Sequence, residues 1–281
     1  MEVFISMKNE RIGSAVDDRK IYPFTNDYMF CYVLSSNPDL AKELLELILD
    51  IQIDHVEVIE AQKVLNYNND SHSIRLDVYL KNDTDIFDVE MQAFHSRDLE
   101  RRMRYYQSAN ACEDLNRGDD YNKLKNCYVI FICDFDPFHK GDAIYRFSMK
   151  NEKYDDLNYD DGAYNIVVNI RSKDPNISDE LRNLLHYLNE GKAVDNFTLK
   201  LQNEVEQINR NPNWRKKAMT IEEKINLVSR ISREEGKEEG RIEGISQSRE
   251  LFIQYLIDHG KTEDEACLEA DRLFSEGKDL S

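Results

Sequence analysis

The chain has 281 residues, is 41% hydrophobic and 33% charged, and carries a net formal charge of −18. The hydrophobic share is enough for a packed core and excludes wholesale disorder, and ten glycines exclude a collagen-like chain. So acidic a surface repels phosphate and disfavours a broad non-specific coat on nucleic acid, while leaving room for a local basic face or for carboxylates that a divalent cation neutralises.

Residues 1–20 are polar and aperiodic and read as a flexible lead; the opening MEVFISMKNERIG has no apolar stretch of signal-peptide length. A short helix is expected over 26–34. Asn37-Pro38 then reads as a helix start, with Asn as N-cap and Pro in the first turn. Leu40, Leu44, Leu45, Ile48 and Leu49 continue it at helical spacing.

Three strands are expected over 56–65, 73–80 and 86–93, separated by the turn-rich segments 66–70 and 81–85, which reads as an antiparallel meander. A helix follows over about 97–115, ending near Gly118. The continuous apolar run CYVIFICDF, residues 127–135, suits a central strand buried on both faces. A hairpin over 143–149 and 164–170 comes next, with the acidic stretch 154–161 as a solvated loop. The order predicts an α/β fold, a mixed sheet flanked by helices.

Beyond Pro175 the pattern is helical. Thr220-x-x-Glu223 matches a capping box that opens a long helix. Gly236, Gly240 and Gly244 lie four apart, each costing about 1 kcal/mol relative to alanine, so this stretch is expected as a weak, exposed helix unless a partner packs on it. Residues 234–281 carry a net charge of −8. Two copies are expected to pair through Leu251, Tyr255, Leu256 and the helix after Thr262.

The five cysteines form no CxxC, which argues against a disulfide framework or zinc knuckle and fits a reducing cytoplasm. The longest apolar run, 128–133, is too short to span a membrane. The six histidines show no HxxxH or HExxH spacing, and no P-loop, GxSxG or GxGxxG is present.

Period-two alternation groups the side chains of the second and third strands. Leu76, Val78 and Leu80 point one way, and Val89 and Met91 join them if the apolar sets face the core. Asp77, Glu90 and Gln92 then share the other face. Converging carboxylates resist joint ionisation, and a hard divalent cation with oxygen ligands resolves the conflict. The plainer reading makes the three residues the solvent side of a hairpin.

Over roughly residues 20–190 the ordered set TNDYMF (25–30), ELLELIL (43–49), RLDVYL (75–80), DVEMQ (88–92), RRMRYYQS (101–108), LNRGDDYNKL (115–124) and VIFICDFDPF (129–138) resembles the PD-(D/E)XK nuclease family transposases, the Rpn-type recombination-promoting nucleases. Leu76 stands where the superfamily name implies proline, and Gln92 replaces the lysine, a variant similar to the Rpn-type branch. The resemblance implies a restriction-endonuclease-like domain over 21–190 and a helical extension over 191–281. It implies a Mg²⁺-dependent DNA endonuclease, with Mn²⁺ able to substitute. Asp77, Glu90 and the Met91 carbonyl would hold the ion, and Gln92 would orient the attacking water.

Asp27 matches a family helix acid that supports the site; read alone, it is a first-turn acid favoured by the helix dipole. On the helix after Gln92, Arg101, Arg102 and Tyr105 suit DNA-backbone contact; the alternative is a salt-bridged face with the tyrosines against the sheet. A second function stays open: a nuclease fold without efficient catalysis, acting as an interaction module through its acidic helical tail.

Overall fold

The computed structural model describes residues 20–65, 74–93, 98–154, 156–157 and 159–275. The lead expected over 1–20 lies outside them except for Lys20, as does the turn expected over 66–70. The chain forms two compact units, one ending at Arg215 and the other beginning at Lys216.

The first unit is α/β, as the sequence predicts. Two helices, α1 (Asp27–Ser36) and α2 (Pro38–Leu49), lead into strands β1 (Glu57–Leu65), β2 (Ile74–Lys81) and β3 (Asp85–Gln92). Helix α3 (Leu99–Asp114) connects β3 to β4 (Asn126–Cys133), and β5 (Ile144–Phe147) and β6 (Ala163–Asn169) complete a six-stranded sheet in the order β1-β2-β3-β4-β6-β5. β1, β2 and β3 form the expected antiparallel meander; β3, β4 and β6 run parallel, and β5 pairs antiparallel with β6. A parallel pair needs a crossover connection, which is the task of α3. Helices α4 (Asp179–Glu190) and α5 (Asn196–Asn209) follow.

β4 sits inside the sheet, and Val129, Ile130, Phe131, Ile132 and Cys133 are all completely buried. Its alternate residues serve two layers. Val129, Phe131 and Cys133 join Leu99, Met103, Tyr106 and Ala109 of α3 in one core. The α3 residues recur at helical spacing, so one stripe of the helix faces the sheet. Full burial of a side chain such as Leu99 or Met103 contributes about 1.5–3 kcal/mol. Gln107 fastens the same helix to two strands, its Nε2 donating to the carbonyls of Tyr164 at 2.9 Å and Cys127 at 3.1 Å.

Two helix starts differ from expectation. Pro38 does open α2, but Asn37 makes no side-chain bond into it. Its Nδ2 donates backward to the Val33 carbonyl at 3.1 Å, satisfying the end of α1 instead. The long helix α6 (Pro212–Asp258) opens at Asn211-Pro212, with Asn211 Oδ1 accepting from the amides of Asn213 and Trp214 at 3.0 and 3.2 Å. Thr220 therefore lies within the helix, and its hydroxyl donates to the Lys216 carbonyl at 2.9 Å rather than capping anything.

Trp214 is buried among Tyr22, Tyr28 and Tyr32, with ring centroids 5.4, 5.2 and 6.0 Å away. It is an anchor within the first unit.

In the second unit Gly236, Gly240 and Gly244 stay helical, and a Cβ added at any of them would meet nothing within 4 Å. Helix α7 (Glu263–Ser275) turns back along the end of α6. Arg249 pairs with Asp271 at 2.6 Å, Lys261 pairs with Glu269, and the rings of Phe252 and Phe274 lie 6.2 Å apart. Thr262 and Glu265 form the capping box that starts α7. Leu256 is buried, whereas Leu251 and Tyr255 remain exposed.

Candidate active site

The site begins where two strands part. Backbone pairing of β2 with β3 runs from Lys81–Ile86 to Val78–Val89 and stops there. Beyond that step β2 continues along β1, to Ile74 opposite Leu65, and β3 continues along β4, to Gln92 opposite Cys133. Asp77 and Glu90 occupy the resulting fork and replace the ladder with side-chain bonds. The Asp77 amide donates to Glu90 Oε1 at 2.8 Å, and the Met91 amide donates to Asp77 Oδ2 at 3.2 Å. In an extended strand a residue's N–H and C=O project to the same side, so the Met91 carbonyl is directed at this fork as well.

Asp77 and Glu90 are each only 5% exposed. The polar face of the two strands is thus not the solvent side of a hairpin. Helix α3 lies over it, and alternation alone cannot show which face a later helix covers. Asp88, two residues before Glu90 on the same face, is completely buried and accepts from Asn110 Nδ2 of α3 at 3.0 Å. Burial pushes the Asp88 carboxyl up to about 7; the Asn110 bond opposes this and the charge of Asp77 adds to it. Burial likewise holds Glu90 well above the usual carboxylate range, reinforced by the charges of Asp77 and Asp88 and opposed by the Asp77 amide and by Arg102. Carboxyls crowded in this way hold a proton or take a cation.

A cavity of about 300 Å³ opens on the pair, lined by Asp27, Asp77, Glu90, Met91, Gln92, Ala93, Arg102 and Tyr106. A larger hollow of about 750 Å³, bordered by Tyr22, Phe24, Tyr187 and Val205, touches none of these residues. Asp27 sits in the first turn of α1, next to Asn26, whose Oδ1 accepts from the Met29 amide at 3.2 Å. It stands at the helix end that favours an acid, and it lines the cavity.

Helix α3 divides the residues expected to share a DNA-facing surface. Arg101 and Tyr105 are exposed. Arg102 is half-buried and enters the cavity, where Nη1 donates to Gln92 Oε1 at 2.7 Å and Nη2 to the Tyr106 hydroxyl at 3.4 Å. Its guanidinium carbon lies 5.1 Å from the Phe131 ring centre and 5.7 Å from that of Tyr106. Successive helical residues are turned by about 100°, which separates neighbours 101 and 102. Tyr106 lines the cavity as well, a place the sequence reading did not give it. The signal was the stripe Leu99, Met103, Tyr106, whose phase carries Tyr106 and the adjacent Arg102 toward the sheet.

Among the described residues no group of three or more histidine, cysteine, aspartate and glutamate side chains is placed to hold a metal. The donors at the fork are two facing carboxylates and a backbone carbonyl. They are all oxygen, which fits a hard ion such as Mg²⁺ that keeps much of its water and needs few protein ligands.

The family model described as PD-(D/E)XK nuclease family transposase matches residues 24–231. No curated protein and no solved structure matches the chain.

Proposed function

This chain belongs to the PD-(D/E)XK nuclease family transposases, and from that membership we propose that it is a divalent-metal-dependent DNA endonuclease hydrolysing phosphodiester bonds in recombination or transposition. The observation that carries this reading is the buried, facing pair Asp77 and Glu90 at the fork between β2 and β3. Residues 21–190 would hold the chemistry and residues 191–281 the helical extension.

Asp77, Glu90 and the Met91 carbonyl would hold Mg²⁺, with Mn²⁺ able to substitute. A bound divalent ion supplies Lewis acidity at the scissile phosphate and eases deprotonation of water. The chain's own residues do the rest. Asp77 and Glu90 provide negative charge in a dry setting, held in register by the amides of Asp77 and Met91. Gln92 orients the attacking water, and Asp27 adds a carboxylate at the cavity mouth. Arg101 and Tyr105, on the exposed side of α3, offer charge and an aromatic ring to the DNA backbone.

Five free cysteines support a reducing cytoplasm, and no helix of the described residues is long and apolar enough to cross a membrane. Exposed Leu251 and Tyr255 support pairing of two copies through the C-terminal helices. The net charge of −18 favours a second reading, an interaction module with weak or no catalysis that works through its acidic tail.

Supercoiled plasmid with Mg²⁺ or Mn²⁺, wild type beside Asp77→Asn, separates the two. Nicking by the wild type alone supports the endonuclease. Absence of nicking by both, with intact folding, leaves the interaction module.

A further inference from the structure

Gln92 carries no charge of its own, and the structure shows a cation reaching it from another element. Arg102 is ten residues further on, in α3, and its Nη1 bonds Gln92 Oε1 at 2.7 Å. A guanidinium only donates. The carbonyl end of the Gln92 carboxamide therefore faces Arg102, and its amino end, which can only donate, is turned by the same bond. The arginine is itself held by stacking over Phe131 and by the Tyr106 ring and hydroxyl. Phe131 is completely buried and Tyr106 nearly so, so the clamp is built into the core beneath it.

We infer that Arg102 is a positioning residue: it fixes Gln92 as a hydrogen-bond donor toward the cavity and brings positive charge beside it. This rests on the endonuclease reading for its consequence in catalysis. It also assigns the two neighbouring arginines different tasks. Arg101, on the exposed side, is available to DNA; Arg102 acts through Gln92.

The test uses the full chain with Arg102→Met, Arg102→Lys, Gln92→Ala and the Arg102→Met/Gln92→Ala double variant. Nicking kinetics with Mg²⁺ are measured beside DNA affinity in Ca²⁺ over a salt series. The side-chain amide signals of ¹⁵N-labelled glutamine, assigned through Gln92→Ala, report on Gln92 without any need for cleavage.

Arg102→Met should lower kcat about 10–100-fold, the usual effect of losing a group that orients a site residue. KM and DNA affinity should change little, the Gln92 amide signals should move, and the double variant should be no slower than Gln92→Ala alone. Arg102→Lys, which keeps the charge but loses the planar fork, should recover part of the rate. If Arg102→Met fails to fold, Arg102→Lys decides, with a shifted Gln92 signal and reduced kcat expected.

Unmoved Gln92 signals would overturn the inference. So would a loss confined to DNA affinity, with a flatter salt dependence and full additivity with Gln92→Ala, because that is the behaviour of a phosphate contact. A folded wild type that does not nick fails the endonuclease reading separately, and the Gln92 signals then decide the positioning by themselves.

Discussion

Glu90 Oε1 accepts the backbone amide of Asp77 at 2.8 Å, at the step where β2 and β3 cease to pair through their backbones. The carboxylates proposed for chemistry thus also take part in the fold, and alanine is a poor probe of either. The sequence places both residues off the core, but both are buried.

Asp77→Ala should remove the acceptor of the Met91 amide and cost about 1–3 kcal/mol of stability, the penalty for a buried polar group left unpaired. Asp77→Asn keeps an acceptor oxygen, so its melting temperature should stay close to wild type while nicking falls to background. Thermal melts beside plasmid nicking check both, and normal nicking by a folded Asp77→Asn protein would remove Asp77 from the mechanism.

Charge reversal at Arg101 should weaken DNA binding and flatten its salt dependence by about one to two phosphate contacts, since each lost contact removes counterion release. The side chain is exposed, so folding should be unaffected. Titrations over a salt series test this; an unchanged slope would make the outer face of α3 merely solvated.

Asp136 predicts a pH effect. Burial would raise its carboxyl, but the Tyr145 hydroxyl at 2.8 Å and the amides of Gly141, Phe138 and His139 hold it below the usual range. A carboxyl lowered on folding adds stability above its unfolded value, near 3.8, and that contribution fades as pH falls through the folded value. Asp136→Asn should therefore cost about 1 kcal/mol at pH 7, after allowance for solvent screening, and progressively less below pH 4. Melting curves from pH 7 to 2.5 should converge; a gap that persists into acid would point to shape rather than charge.

Trp214→Ala should destabilise the first unit by about 3–5 kcal/mol, because it empties the space between Tyr22, Tyr28 and Tyr32. Trp214→Phe should recover most of it. Denaturant curves followed by circular dichroism measure the difference, and a near-neutral alanine variant would show that the start of α6 is dispensable.

Removing residues 234–281 should leave the fork intact, since Asp77 and Glu90 lie in the first unit and the Arg249–Asp271 hairpin in the second. Light scattering and nicking of the truncated chain decide the tail's role. A fall from two copies per particle to one supports pairing, whereas an unchanged number of copies with unchanged nicking excludes both pairing and regulation.

The strand order was readable because polar turns punctuate it and β4 is apolar throughout. The pairing of Asp77 with Glu90 was readable because alternation in adjacent strands fixes relative faces. Burial was not, since the layer above that face comes from α3, later in the chain. That Arg102 parts from Arg101 was not readable for a related reason. Helical spacing gives the angle between residues 101 and 102, but only packing tells which of them meets the sheet. Thr220 misled because a capping box describes local bonding, while the earlier Asn211-Pro212 pair already supplied a start with two side-chain bonds.

The fork has a further consequence for observing the protein at work. A carboxylate offers about four acceptor positions, so an ion bound by Asp77 and Glu90 would share electron density with the two amides they already accept. Deuterium uptake at the backbone of Asp77 and Met91 then becomes an internal gauge of site occupancy. The signal arises within the strands themselves, requires neither DNA nor turnover, and distinguishes an ion seated between the carboxylates from one held elsewhere on an acidic surface.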